Sequence, residues 1–272
     1  GAGRTVRQDG NRQSAGRNPQ SLLRQGYGGR AAIFTLVPRV LAPAAALALD
    51  GKALLAKVDR NLEPENYEMT RKLINEEPDG KRKEFILYSV KKGRDKVAAL
   101  FLQPASDKGR STLRQGDNMW LYIPNVGKPV RITSLQSVTG GVFNNADILR
   151  VDYTEEYEVT SASEEAGHYL LDLKAKTGAV AYDRLKMTVD KKTALPTVIE
   201  AYAASGLLVK TLRFKDIKDF GGGIVRPATV ETDSPLYKGY KSVMLYANVK
   251  KRDLPDEVFT LNFMPRLDEL RK

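Results

Sequence analysis

The stretch RQGDNMWLYIPNVGKPVRI, residues 114–132, contains the run MWLYI, in which all five side chains are large and hydrophobic. A strand with one face in water alternates apolar and polar residues. This run does not alternate, although 28% of the chain is charged. We therefore expect apolar material to cover both faces of this strand, and the sequence leaves open whether that cover is protein or ligand.

The surrounding chain predicts a long antiparallel meander. Runs rich in β-branched and aromatic residues are separated by short turns such as Pro78-Asp79-Gly80 and Gly221-Gly222-Gly223, which favour antiparallel neighbours. Eleven strands exceed what a flat open sheet usually carries, so we expect the sheet to curl or close. The strands are predicted near residues 66–76, 83–91, 96–103, 118–123, 154–161, 168–175, 183–190, 196–204, 207–216, 224–232 and 240–250.

The predicted strands are of two kinds. Residues 182–189, YDRLKMTV, alternate apolar and polar positions, as expected for a strand with one wet face. Residues 84–90, 97–102, 119–123 and 242–249 are apolar at positions on both faces. One face of these four strands must therefore contact an additional layer or a guest molecule.

The meander is preceded by a helix and interrupted by one long loop. Asp50 is a good N-cap for a helix over residues 50–61, with Leu54, Leu55, Val58 and Leu62 on one face. Loops as long as residues 124–150 are commonly functional. This loop contains the flexible pair Gly140-Gly141 and then apolar residues. It is predicted to lie over an open face of the sheet, either as a plug that completes the core or as a mobile lid.

Composition and motifs exclude most catalytic classes. The chain has no cysteine and one histidine, His168, so disulfides, thiolate chemistry and histidine-rich metal sites are excluded. Nucleophile-elbow, phosphate-loop, dinucleotide-binding and zinc-protease motifs are absent from the sequence. We predict no catalytic residue, no metal site and no cofactor. A binding protein with an apolar guest remains, since burying about 15 methylenes contributes up to ~12 kcal/mol.

Residues 1–48 differ from the rest and are predicted to be a leader. They contain seven arginines, one acid and no lysine, so they supply +6 of the net charge of +11. Their first part is expected to be disordered. The apolar part ends in Ala46-Leu47-Ala48, which resembles a secretory cleavage site, although a buried hairpin or a disordered tail stays open. Residues 49–272 are predicted to form a single domain without a dense basic stripe, which disfavours nucleic acid binding.

A family resemblance adds to this interpretation. Gly116 and Asp117 precede a strand that carries Trp120, Tyr122 and Pro124, and this arrangement resembles the LolA/LolB-like outer-membrane lipoprotein-sorting superfamily. The resemblance extends from about residue 49 to the C-terminus. It implies an α+β fold, mostly antiparallel β: a strongly curved unclosed barrel of about 11 strands, with an N-terminal helix and a helical or loop lid over the concave face.

The same resemblance implies a function and a location. It implies a periplasmic carrier, exported across the inner membrane of a Gram-negative bacterium. Such a carrier holds acyl chains of lipoproteins or lipids in a hydrophobic cavity and transfers them toward the outer membrane. It makes peripheral contact with membrane components rather than inserting, and an inner-membrane lipid exporter is an expected partner. The alternative is a protein-interaction or envelope-sensor module of the same fold, and an enzyme acting on lipid or glycan is a further rival.

The cavity walls are predicted from the strands that are apolar on both faces and from the long loop. Which face of residues 119–123 lines the cavity stays open, although the polar atoms of Trp120 and Tyr122 slightly favour a place near its mouth. The predicted ligand-cavity residues are Phe85, Leu87, Leu100, Leu102, Met119, Trp120, Leu121, Tyr122, Phe143, Ile148, Leu149, Met244 and Tyr246.

Overall fold

The computed structural model describes residues 49–272, and the predicted leader over residues 1–48 lies outside the described residues. The described chain begins with helix α1 (Gly51–Leu62) and ends with two 3-10 helices (Asp256–Phe259 and Leu261–Arg271). Between them lie two single-turn helices, α2 (Asn145–Ile148) and α3 (Tyr153–Glu156), and 13 strands. The strands are β1 (Tyr67–Glu76), β2 (Arg82–Lys92), β3 (Lys96–Gln103), β4 (Ser111–Gln115), β5 (Asn118–Tyr122), β6 (Val130–Ile132), β7 (Tyr157–Glu165), β8 (His168–Ala175), β9 (Arg184–Asp190), β10 (Pro196–Tyr202), β11 (Leu208–Asp219), β12 (Val225–Asp233) and β13 (Lys241–Lys251).

All 13 strands form one curved sheet, in the order β6-β5-β4-β3-β2-β1-β13-β12-β11-β10-β9-β8-β7. Neighbouring strands are antiparallel, as in the pairing of β1 with β13 and of β4 with β5. Strands β6 and β7 are the two edges, so the sheet does not close on itself. The predicted fold class, a mostly antiparallel and unclosed curved barrel with an N-terminal helix, is confirmed. Two strands beyond the predicted eleven, β4 and β6, are only five and three residues long.

The predicted N-terminal helix is confirmed and lies on the inner face of the sheet. The side chain of Asp50 accepts a hydrogen bond from the amide of Ala53, 3.0 Å away, and so caps α1. At Gly51 the helix passes so close to β7 that a Cβ would lie 2.7 Å from Val159. The four predicted apolar residues of this helix, Leu54, Leu55, Val58 and Leu62, are all buried in the main core.

The run MWLYI has protein on both faces. Met119 is buried in the main core on the inner face. Trp120 and Tyr122 point to the outer face, where they pack on a second apolar cluster. That cluster is covered by the C-terminal segment, which we define as residues 254–271. Its Phe259, together with Leu254, Val258, Phe263, Met264 and Leu267, lies against the outer sides of β2, β3 and β4.

The C-terminal segment explains why three of the four strands predicted to be covered on both faces are apolar on both. It does not cover the fourth, β13, whose Val243 and Leu245 are partly exposed. Strands β2, β3 and β5 lie beneath the segment. Side chains on both faces of β2 and β3 are buried, and on β5 the outer side chains Trp120 and Tyr122 are partly buried. Strand β9 has no such cover. Its Leu185, Met187 and Val189 are buried, whereas Arg184 and Lys186 on the outer face are exposed. Apolar residues on both faces of a strand therefore mark an outer protein layer in this half of the sheet.

Replacing Phe259 tests whether the C-terminal segment is part of the core. Phe259 is fully buried, whereas Leu261 in the same segment is 39% exposed. We expect Phe259→Ala to lower the free energy of unfolding by ~3–5 kcal/mol, because a buried phenylalanine leaves a cavity. Leu261→Ala is the matched control and should change it by less than ~1 kcal/mol. Urea unfolding curves measure both, and equal effects of the two variants would show that the segment is not packed on the sheet.

Candidate ligand-binding cavity

The inner face of the sheet is covered by the inner loop, which we define as residues 133–152. A cavity of about 40 Å³ remains beneath it, which is room for about one water molecule. The inner loop and α3 contribute Phe143, Ala146 and Tyr153 to its lining. The opposite wall comes from β9 to β13 and consists of Leu185, Ile199, Leu212, Phe214, Val230 and Tyr246. The cavity is thus mainly apolar and, in this conformation, almost filled.

A larger groove lies on the surface beside this cavity. It has a volume of about 670 Å³ and runs between the inner loop and the turn that joins β12 to β13. Phe143 lines both the groove and the cavity, and its side chain is only 2% exposed. Phe143 therefore separates the solvent-exposed groove from the interior. The rim of the groove carries four exposed apolar or aromatic residues, Leu135, Leu236, Tyr237 and Tyr240.

The first half of the inner loop is held by side chains of the two central strands. The side-chain nitrogen Nδ2 of Asn75 donates to the carbonyl oxygens of Thr139 and Gly140 over 3.1 and 3.0 Å. The hydroxyl of Ser242 accepts a hydrogen bond of 2.9 Å from the backbone of Val142, and it donates to the side chain of Asn75 over 2.7 Å. In these contacts the backbone of the loop is bound to side chains of the sheet, and the loop does not pair with a strand through backbone hydrogen bonds.

The second half is held by buried cations. Arg71 donates from Nη1 to the carbonyl oxygen of Ile148 over 2.6 Å, and its other guanidinium contacts are with the hydroxyl of Ser89. Lys210 donates to the carbonyl oxygen of Val142 and lies 2.8 Å from the carboxylate of Asp147. Arg71 is therefore paired here with neutral oxygens, and its contact with the loop is a charge-assisted hydrogen bond rather than an ion pair.

Asp147 also interacts with a tyrosine in the cavity wall. The hydroxyl of Tyr182 lies 3.0 and 3.1 Å from the two carboxylate oxygens of Asp147. It also accepts a hydrogen bond of 2.8 Å from Asn144. Burial raises the pKa of Tyr182 well above its ordinary value, and the negative charge of Asp147 raises it further. Tyr182 therefore acts as a neutral hydrogen-bond donor in this site.

A carboxylate with three cations lies at the end of α1. Glu63 Oε1 is 2.6 Å from Arg150 and 3.4 Å from Arg226, and Glu63 Oε2 is 3.7 Å from Lys91. Burial alone would raise the pKa of Glu63, but the charges of Arg150, Lys91 and Arg226 outweigh it and lower this pKa to about 2. Glu63 is therefore ionised at neutral pH despite being buried.

A second carboxylate extends this network toward the surface. Asp152 is buried and forms ion pairs with Lys91, Arg60 and Arg94. The neighbouring Asp59 accepts hydrogen bonds from the backbone of Tyr153 and from Thr154. Burial, and then the charge of Asp152, raise the pKa of Asp59. These contacts fix the chain that follows Arg150 to helix α1.

A further ion pair closes the cavity on the side of α3. Glu156, which lines the cavity, is paired with Arg114 of β4. Burial raises the pKa of Glu156 above its ordinary value, although the charge of Arg114 opposes this. Within residues 49–272 there is no group of three side chains that could hold a metal ion. In the same residues no helix has the length and apolar character needed to cross a membrane.

The structure divides the predicted cavity residues between two faces. Nine lie on the inner side, and only Phe143 and Tyr246 among them line the cavity. The other seven are Phe85, Leu87, Met119, Leu121, Ile148, Leu149 and Met244, which are buried inner-face or inner-loop residues. The remaining four, Leu100, Leu102, Trp120 and Tyr122, pack in the outer cluster beneath the C-terminal segment.

Trp120 and Tyr122, which were expected near the cavity mouth, therefore lie on the opposite side of the sheet. Sequence reasoning also placed the cavity walls in β2, β3, β5 and β13. Of these, only β13 lines the observed cavity, through Tyr246, and the rest of the strand wall comes from β9 to β12. The alternating apolar positions of β9 were the available signal for this wall. The charged network carried no such signal, because Lys91 and Arg226 look like surface residues in the sequence although both are buried.

Replacing Gly141 tests how closely the inner loop is fitted to β1. Both Gly140 and Gly141 have positive φ, of 69° and 73°, so alanine costs about 1–2 kcal/mol of backbone strain at either position. Only at Gly141 would a Cβ collide with Asn75, whose Oδ1 would be 2.2 Å away. We expect Gly141→Ala to be less stable than the control Gly140→Ala by a further ~2 kcal/mol, because two hydrogen bonds of Asn75 are lost. Thermal unfolding compares the two variants, and equal melting temperatures would contradict the close approach of Gly141 to Asn75.

The low pKa of Glu63 gives a second prediction. A folded-state pKa of about 2, below the ordinary 4.5, means that the carboxylate stabilises the fold above pH 4.5 and that this contribution disappears as the pH falls toward 2. At pH 7 we expect Glu63→Gln to be ~3–5 kcal/mol less stable than the wild type, because the buried Arg150 and Arg226 lose their carboxylate partner and Lys91 loses one of its two.

The difference between Glu63→Gln and the wild type should shrink as the pH is lowered from 4.5 to 3. Urea midpoints at pH 7, 4.5 and 3 measure this dependence. Glu231→Gln is the control, because Glu231 forms an exposed pair with Lys215 and its replacement should matter little at any pH. A difference for Glu63→Gln that does not vary with pH would contradict the assigned ionisation.

Three solved structures have a fold similar to that of this chain. A LolA superfamily protein from Nitrosomonas europaea is 26% identical, with a TM-score of 0.72, and the match covers 79% of this chain and 100% of that one. A DUF1329 family protein from Desulfovibrio piger is 23% identical, with a TM-score of 0.68 over 79% and 97% of the two chains. A protein domain from Vibrio parahaemolyticus, described as outer membrane lipoprotein-sorting, is 19% identical, with a TM-score of 0.67 over 79% and 98%.

Two further comparisons concern the sequence itself. A family model described as "-like: Uncharacterized protein" matches residues 93–266, which is more than half of the chain. No curated protein matches the sequence. The matched span runs from the β2–β3 turn into the C-terminal segment, so it includes the inner loop and eleven of the 13 strands, β3 to β13.

Proposed function

The chain belongs to the family matched over residues 93–266 and to the LolA/LolB-like superfamily, and from this premise we propose that it is a carrier. The carrier binds acyl chains of lipoproteins or lipids inside the curved sheet. It works in the periplasm and transfers its cargo toward the outer membrane. We propose binding without catalysis, which is supported by the pairing of the interior carboxylates Glu63, Asp152 and Glu156 with cations.

The observation that carries the proposal is an apolar interior beneath a loop that is held by hydrogen bonds from side chains. The wall of β9 to β13 presents aliphatic and aromatic side chains to the cavity. The inner loop that covers it is held by side-chain hydrogen bonds from residues such as Asn75 and Ser242 rather than by strand pairing. The pair Gly140-Gly141, with φ values of 69° and 73°, lies within this loop and supplies a joint.

The size of the cavity requires the cover to move. Sites for small molecules have volumes of about 300–1,000 Å³, whereas the closed cavity has about 40 Å³. The adjoining groove, at about 670 Å³, is within that range. Displacement of Phe143 would join the groove to the cavity, because this side chain lines both. In the proposed open state, the loop over residues 139–149 lifts while residues 150–152 stay tied to Glu63 and Lys91.

Energies of the two states are compatible with such a movement. The neutral hydrogen bonds from Asn75 and Ser242 contribute roughly 0.5–1.5 kcal/mol each and those from the cations Arg71 and Lys210 roughly 1.5–3 kcal/mol each, so releasing them costs on the order of 5–10 kcal/mol. Phe143, Ile148 and Leu149, which the loop buries in the main core, have to remain covered by the cargo in the open state. Burial of a chain of about 15 methylenes contributes up to ~12 kcal/mol. The loop is therefore expected to stay closed without cargo and to be held open by it.

The rim of the groove is the proposed site of cargo exchange. Exposed apolar side chains at one place on a surface mark contact sites, and Leu236 and Tyr237 are 48% and 61% exposed on the turn between β12 and β13. We propose that this rim makes the peripheral contact with membrane components, including an inner-membrane lipid exporter, when cargo is loaded.

A reversible lock on the inner loop tests the proposal. A Cβ on Gly141 would lie 2.3 Å from Cγ of Asn75, so the two Cβ atoms are at most about 3.8 Å apart, as a disulfide requires. The chain has no cysteine, so the double variant Asn75→Cys/Gly141→Cys forms only this bond. We expect the oxidised protein to lose uptake of hexadecanoate and the reduced form of the same protein to regain it.

Uptake is measured by displacement of a fluorescent fatty acid, and reduced wild-type protein controls for the reductant. Equal binding by the oxidised and reduced double variant would contradict entry of the chain beneath the inner loop. Lack of binding of acyl chains to the wild type as well would contradict the carrier function and favour the protein-interaction alternative.

A further inference from the structure

We propose that the cargo is an acyl amphiphile with an anionic head group and that Arg150 binds this head group. The inference rests on the carrier function proposed above and specifies its cargo class. Carboxylate and phosphate head groups share the required chemistry. A neutral diacylglyceryl group, in contrast, would leave the guanidinium without a new partner.

Arg150 is the cation that faces the cavity. It belongs to the last part of the inner loop and lines the cavity. Its guanidinium lies 5.3 Å from the ring centre of Tyr153. Its buried Nη2 is the atom that forms the ion pair with Glu63 Oε1, at 2.6 Å, although the angle of this contact is not that of a good hydrogen bond. The guanidinium has five N–H donors, so most of its hydrogen-bonding capacity is not used by this pair.

The charge of Glu63 is shared between Arg150 and two other cations. The same carboxylate is approached by Arg226 at 3.4 Å and by Lys91 at 3.7 Å. The next carboxylate, Asp152, is already surrounded by Lys91, Arg60 and Arg94. One carboxylate is thus shared by two guanidinium groups and an ammonium group. An anionic group that entered the cavity would meet an incompletely compensated positive charge, in surroundings where such an interaction is strong.

The other charged residues of the cavity do not offer this interaction. Asp147 and Glu156 also line the cavity, but each has a cation of its own, Lys210 and Arg114 respectively. The wall opposite Arg150 is apolar and includes Leu185, Ile199 and Leu212. The cavity therefore combines one available cation with a surface for a hydrocarbon chain, which is the chemistry of an anionic amphiphile.

The test compares three ligands of equal chain length: hexadecanoate, hexadecyl phosphate and hexadecan-1-ol. Their dissociation constants are measured on the full chain by competition with a fluorescent fatty acid at pH 7.5. We expect the two anions to bind about 10- to 100-fold more tightly than the alcohol, the range given by a charge-assisted hydrogen bond. The ratio between carboxylate and phosphate identifies the preferred head group.

Variants then assign the preference to Arg150. Arg150→Gln should bind all three ligands equally and keep the wild-type affinity for the alcohol, whereas Arg150→Lys should retain part of the preference. Arg60→Gln is the matched control. Arg60 belongs to the same ionic network but does not line the cavity, so the preference for anions should persist in it.

The outcomes separate this inference from the function on which it rests. Equal binding of acid, phosphate and alcohol by the wild type would overturn the role of Arg150 while leaving the carrier intact. Lack of binding of all three would overturn the carrier itself. Should Arg150→Gln fail to fold, the wild type and Arg150→Lys are compared with the same three ligands. If Arg150→Lys prefers the anions over the alcohol as strongly as the wild type does, a directed contact with the guanidinium is contradicted.

Discussion

The pairing of β1 with β13 is the interaction on which the rest of the structure depends. It joins the meander β1–β6 to the meander β7–β13 and so makes one sheet out of two halves. Its register also places the residues that hold the inner loop. Asn75 is directly opposite Ser242, and Arg71 is directly opposite Tyr246. Both pairs point inward, where they contact the loop or line the cavity.

The sheet has a cover on each face, and the two covers are attached by different forces. The C-terminal segment is fixed to the outer face by buried apolar side chains such as Phe259 and Met264, and removing such contacts costs several kcal/mol each. The inner loop also buries apolar residues, but its backbone is fixed by single hydrogen bonds from side chains. This difference supports the proposal that the outer cover provides stability and that the inner one moves when ligand is exchanged.

The sequence predicted the fold well because its signals were local. Asp50 and the apolar spacing of α1, the Gly-containing turns and the strand composition each act within a few residues, so helix and strands were found without knowledge of the rest. Strands β4 and β6 were missed because STLRQ and VRI are too short or too polar to stand out. The family resemblance supplied the unclosed barrel, which residue patterns alone left open between curling and closure.

The candidate site was less predictable, since it is made by contacts between distant parts of the chain. The apolar run MWLYI indicated covers on both faces, but no pattern showed that residues 254–271 supply the outer one. These residues form 3-10 turns that contain Pro265 and lack a clear helical or strand period. The buried cations were equally hidden: Lys91 is paired inside with Asp152 and Glu63, and Arg226 with Glu63, and these partners are distant in sequence. Long-range ion pairs leave no local signal.

The most direct test of the account is native mass spectrometry of the protein purified from its own cells without detergent, followed by solvent extraction of the unfolded sample. The account predicts a species heavier than the polypeptide that releases an acyl lipid on unfolding. In the same preparation, hydrogen exchange at residues 139–149 should be faster in the loaded species than in the empty one, because cargo holds the inner loop open. A single mass equal to that of the bare polypeptide, unchanged after addition of fatty acids or phospholipids, would contradict it.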